Sequence, residues 1–158
     1  MESEQLIELI KESILLEENV ADLYKVFSLN IPEDSNFWWQ FHLEERSHSM
    51  LLHMAKDSFV QHGVFPKDLL TNSIDALKDS NVRIEKLIEE CNAKTPTRRE
   101  ACMMAIALEN EAGEQHYMKF MEKSAESSLE AVFQQLNRDD KEHERRIREH
   151  LDALPAEA

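Results

Sequence analysis

The chain is poor in the residues that break or cross-link a backbone. Among 158 residues there are 2 Gly and 4 Pro, too few for the many tight turns of an all-β fold. The 2 cysteines, Cys91 and Cys102, form no C-x-x-C pair and cannot supply a four-thiolate site; they suit a reduced, cytoplasmic chain. Long apolar runs are missing: the longest, Ala101 to Leu108, is far short of a membrane span. The N-terminus, MESEQLIELI, lacks the basic start and apolar core of a signal peptide. Positive charge is scarce as well. With 18 Lys and Arg against 32 Asp and Glu, the net charge is −14. No basic patch is visible, which argues against nucleic acid or an anionic membrane as a partner.

What remains is helix-forming sequence, 42% hydrophobic, in a length that suits a single domain over residues 1–158. Four long amphipathic helices stand out, with a fifth between the second and third. Helix 1 is expected from Ser3 to Leu29, stopped by Pro32. Helix 2 runs from Ser35 to about Gln61, ended by Gly63 and Pro66. A crossover helix follows over Ser73 to Asn92. Helix 3 opens at Thr95-Pro96 with a capping box from Thr97 to Glu100 and runs to about Lys123. Helix 4 opens with a second capping box, Ser127 to Glu130, and runs to about Leu154. Short turns make helices 1 and 2 antiparallel, and likewise helices 3 and 4. The long crossover lets the pairs join as an all-α, ferritin-like four-helix bundle.

Each long helix carries an apolar stripe at spacings of three and four, and each stripe is interrupted by an acid. On helix 1, Glu17 lies between Ile14 and Ala21. On helix 2, Glu45 and His48 lie between Phe41 and Leu52. On helix 3, Glu109 follows Ile106. On helix 4, Asp140 and His143 lie between Leu136 and Ile147. Residues three apart share a helical face. Glu17 and Glu45 are equidistant from Ile31, in the first turn; Glu109 and Asp140 are equidistant from a point between Ser124 and Ala125, in the last. In antiparallel hairpins that places all four carboxylates in one layer of the core. Four buried carboxylates repel one another and are costly without a counter-charge. Four carboxylates with two imidazoles match the recipe for a di-iron or di-manganese pair in a bundle.

These motifs resemble those of the rubrerythrins, in the ferritin-like superfamily. "AIALENEAGEQHYMKF" on helix 3 is similar to the family's third helix, with a Tyr eight after the Glu. "EENVADLYKVF" is similar to its first, with Tyr24 seven after Glu17, and "EERSH" and "DDKEH" to its two E-x-x-H motifs. The resemblance implies metal ligation by Glu17, Glu45, His48, Glu109, Asp140 and His143, holding two iron ions or manganese. It implies reduction of peroxide or dioxygen, with a homodimer common in the family. Three departures stand out. Asp140 replaces the family's Glu. Ala112 stands where rubrerythrins carry an additional Glu ligand that exchanges with a His. The four-cysteine rubredoxin domain is absent, so a separate electron-donor protein is expected. Tyr24 is a candidate to hydrogen-bond a ligand or pass electrons; Tyr117 is another. His42 is a candidate to orient Glu45. A ferroxidase or iron-handling protein, and a metal-free acidic helical interaction module, are the competing readings.

Overall fold

Helix α1 spans Glu2–Asn30 and stops where Pro32 removes a backbone donor. A single 3-10 turn, Pro32–Asp34, reverses the chain into α2, Ser35–His62. Helix α3 is Ile74–Ala93, α4 is Arg98–Ala112 and α5 is Ser128–Ala153. The computed structural model describes residues 2–62, 74–112 and 128–158. Expected boundaries agree within a few residues wherever they fall in these ranges. The second capping box, the far half of helix 3, Gly113, His116 and Tyr117 lie outside them. Thr97 caps α4 as expected: the Glu100 N–H donates to Thr97 Oγ1 at 3.1 Å.

Side-chain contacts set the helix directions. Ser28 bonds Ser35, His42 reaches the Ala21 carbonyl, and Ser49 bonds Glu18, so α1 and α2 run antiparallel. Phe37 stacks on His150, Arg146 pairs with Glu44, and His48 reaches Asp139, so α2 and α5 are antiparallel too. Arg99 bonds the Pro155 carbonyl and Glu109 faces His143, which opposes α4 to α5. Helix α3 instead runs parallel to α1: Lys78 meets Glu8, Asn81 meets Glu12, and Asn19 meets Glu85. Buried Asn81 also accepts from Asn19, a polar pair that fixes the register of α3 where the apolar pattern shows only Ile74, Leu77, Ile84, Leu87 and Ile88. Among the described residues the fold is all-helical.

The core has two apolar parts. One gathers Tyr24, Phe27, Trp38 and Phe41 with Ala101, Ala105 and Ile147; Trp38 stacks on Tyr24 at 5.4 Å and meets Phe27 edge-on at 5.0 Å. The other holds Leu6, Ile10, Ile14, Leu52 and Leu136. Large buried rings dominate core energetics. The acids and histidines that interrupt the stripes fall between these two parts, closed off from water on either side.

The aromatic end is fastened by a buried acid. Asp34, 2% exposed, accepts from Arg98 Nη2 at 2.7 Å and Nε at 3.0 Å, and from His150 Nε2 at 3.0 Å. Burial opposes its charge, but the Arg98 and His150 hydrogen bonds hold its carboxyl below the usual range. The contact ties the start of α2 to the start of α4 and the end of α5. The sequence suggests no role for His150; its partners come from helices remote in the chain.

Candidate metal centre

All six residues singled out by their spacing meet between the two apolar parts. Glu17, Glu45, His48 and Asp140 form one group, and Glu45, Glu109, Asp140 and His143 a second; within each, one ligand atom per residue lies within 4.8 Å of the others. Glu45 and Asp140 belong to both. Glu45 spans the two groups: its Oε2 lies 3.2 Å from His48 Nδ1 and its Oε1 lies 3.0 Å from His143 Nδ1. The two imidazoles stack at 5.4 Å. Five of the six residues are at most 7% exposed, and the Glu17 side chain is 12% exposed. The groups are buried acids and imidazoles able to hold a metal ion.

The charges are strained by this placement. Burial, then the charge of Glu45, pushes Glu17 well above the usual carboxyl range. Burial, then Glu17, Glu109 and Glu45, does the same to Asp140. Glu109 is raised to about 7 by burial and then by Glu45, against the hydrogen bonds of His143 and Tyr24. Glu45 is the exception: burial opposes its charge, yet hydrogen bonds from Glu17, His143 and His48 hold it well below the usual range. Burial alone would keep His48 neutral, but Glu17 and Glu45 raise it to about 11, and His143 is raised in the same way by Glu109, Glu44 and Glu45. Burial thus favours protonation of Glu17 and Asp140, while the neighbouring carboxylates favour protonated imidazoles.

Two acids absent from the sequence reading complete the arrangement. His48, on α2, turns its Nε2 to Asp139 on α5 at 3.1 Å. His143, on α5, turns its Nε2 to Glu44 on α2 at 3.4 Å. Each outer acid immediately precedes an inner one, so the doubled acids of "EERSH" and "DDKEH" are the signal that could have pointed to them. With Nε2–H donated outward, loss of the Nδ1 proton would leave the Nδ1 lone pair of each ring facing the centre. Gln135 and Arg146 hold the outer acids in turn, at 2.9 Å from Asp139 and Glu44 respectively. Tyr24, fully buried, donates its Oη–H to Glu109 Oε1 at 2.6 Å. Burial and the nearby charges of Glu109 and Glu45 push its phenol up, so it stays a donor. His42 donates from Nδ1 to the Ala21 carbonyl at 2.8 Å, clasping α2 to α1 instead of bonding Glu45.

A small cavity opens beside the carboxylates, bounded by Glu17, Glu45, Glu109 and Asp140 and closed by Leu16, Val20 and Leu108. It has room for about one water-sized molecule. Neither imidazole lines it. Cys91 and Cys102 are buried, form no disulfide and belong to neither group. No described helix is long and apolar enough to cross a membrane. Comparison with protein-family models, with curated proteins and with solved structures gives no match to this chain.

Proposed function

We propose that the chain is a rubrerythrin-like di-iron carboxylate protein, built on a ferritin-like bundle, that reduces peroxide or dioxygen. The observation that carries this reading is the position of Glu45. One buried carboxylate divides its two oxygens between imidazoles from two helices, at the junction of two four-residue groups. The donor set suits iron or manganese: hard oxygens and imidazole, with no thiolate near. Glu17 and His48 would hold one ion, Glu109 and His143 the other, with Glu45 and Asp140 shared between them. Two divalent cations would replace the protons that the core otherwise needs.

Iron held by these residues would supply the electrons for reducing a small oxidant. The chain's own residues do the rest. Asp139 and Glu44 orient the rings through Nε2. Tyr24 keeps a proton on Oη, 2.6 Å from Glu109 Oε1, and steadies that carboxylate. Leu16, Val20 and Leu108 exclude bulk water from a cavity that admits only a small molecule. Electrons would arrive from a separate donor protein.

Anaerobic titration with ferrous iron, read by metal analysis and iron spectroscopy, tests the reading. About two ions per chain are expected, and Glu45→Ala should remove most of them. Wild-type protein that takes up neither iron nor manganese would end it, and would favour an acidic helical interaction module. Ala112 supports a second reading, ferroxidation and iron handling, because it leaves six ligands and no carboxylate to exchange with a His. Stopped-flow comparison of peroxide with dioxygen separates the two.

A further inference from the structure

The cavity lies on one side of the centre. All four inner carboxylates bound it and neither imidazole does. The rings turn the other way, with the Nε2 atoms of His48 and His143 committed to Asp139 and Glu44. Three apolar side chains complete the cavity: Leu16 and Val20 from α1, and Leu108 from α4. Leu16 and Val20 are four residues apart and share a face of α1; Leu108 directly precedes Glu109. A molecule in this space meets carboxylates on one side and a hydrocarbon wall from α1 and α4 on the other.

That wall is packed from behind. Val20 and Leu108 are buried and belong, with Leu16, to the apolar part that also holds Ile84 of α3. Asn19, next to Val20, donates to Asn81 of α3, and Asn81 donates to the Glu12 carbonyl. These bonds hold α3 against α1 beside the residues of the wall. Side chains packed on both sides cannot swing away without leaving a void, and close-packed interiors yield little. Room for about one water-sized molecule is therefore a fixed dimension of the fold.

Resting on the di-iron reading above, we infer that Val20 and Leu108 are the specificity-determining residues of the centre. They restrict the oxidant to a molecule of two heavy atoms and shut out organic hydroperoxides. Hydrogen peroxide exceeds water by a single oxygen atom. In tert-butyl hydroperoxide a branched alkyl group replaces one hydrogen, and the wall would have to take it up. Electron demand does not separate the two. Each breaks its O–O bond on accepting two protons and two electrons, one electron from each of two ferrous ions, which become ferric. Hydrogen peroxide then gives two waters; the organic peroxide gives one alcohol and one water. Space is what differs, and a misfit of one methylene in an apolar pocket is worth about 10–200-fold in discrimination. Val20→Ala or Leu108→Ala removes more than that from the wall.

Stopped-flow mixing of the full chain, loaded with ferrous iron, with each peroxide tests this. Wild type should consume hydrogen peroxide about a hundredfold faster than tert-butyl hydroperoxide, and Val20→Ala and Leu108→Ala should each cut that ratio about tenfold at unchanged iron content. Val26→Ala makes the same change six residues further along α1, at a buried position outside the cavity, and should leave the ratio as it is. Binding gives a second readout that needs no turnover: tert-butyl isocyanide should alter the Mössbauer spectrum of the two wall variants and leave that of wild type unchanged. Iron-loaded wild type that accepts the bulky peroxide or the isocyanide overturns the inference and leaves the di-iron reading standing. So do wall variants no more open than Val26→Ala. Wild type that takes up no iron overturns the di-iron reading itself, and this inference with it.

Discussion

Glu109→Gln isolates the electrostatic cost of the buried cluster when the protein is free of metal. The Glu109 carboxyl stands at about 7 against an ordinary 4.5, raised by burial and then by Glu45. A carboxyl raised in the folded state contributes stability that is fully present below about pH 4.5 and lost as the pH climbs through about 7. At about 1.4 kcal/mol per pH unit, the metal-free wild type loses at most about 3 kcal/mol from this group. Glutamine keeps the shape of the side chain, and its carbonyl still accepts the Tyr24 hydroxyl now 2.6 Å from Oε1. The variant should match wild type below about pH 5 and be up to about 3 kcal/mol more stable near pH 8, with Tm higher by about 2–4 °C per kcal/mol. Urea denaturation followed by circular dichroism in chelator, from pH 5 to pH 8, measures it. Once iron is loaded the sign should reverse, because the variant lacks a ligand. A stability difference that is independent of pH would refute the electrostatic argument, whatever its sign.

Asp34→Ala should destabilise the fold by about 2–3 kcal/mol, below the 3–5 of a wholly buried pair because Arg98 and His150 remain partly hydrated. Its carboxyl is lowered in the folded state, so wild type holds this stability above about pH 4 and loses it on acidification through the lower folded value; chemical denaturation at pH 3 and pH 7 should show the gap closing in acid. Tyr24→Phe should cost about 1–2 kcal/mol and push the Glu109 carboxyl higher still, seen by NMR titration of the metal-free protein; an unmoved Glu109 would mean the 2.6 Å contact is of no electrostatic consequence. Wild-type protein loaded with iron should consume dioxygen at least as fast as peroxide, and Ala112→Glu should shift the preference towards peroxide. A wild type that prefers peroxide by orders of magnitude would put conventional peroxidase chemistry first.

Helix content, helix limits and the six inward polar residues were legible in the sequence because each rests on local rules. Pro32 ends α1 through its own missing N–H, Thr97 caps α4 three residues on, and Glu45 with His48 share a face through the helical repeat alone. The layer itself followed from distances to the turns, which antiparallel pairing converts into height. Partnership across helices obeys no such rule. That Asp139 holds His48 while Glu44 holds His143 depends on the rotation of α2 against α5, which the spacing within either helix leaves open. His150 reaches Asp34 for the same reason, and Asn81 sets α3 parallel to α1 by a contact 62 residues distant from Asn19. Protonation was decided last of all. Glu17 and Glu45 are alike as residues in apolar stripes, yet one is driven up and the other down, because burial penalises both charges and only Glu45 faces two imidazoles at close range.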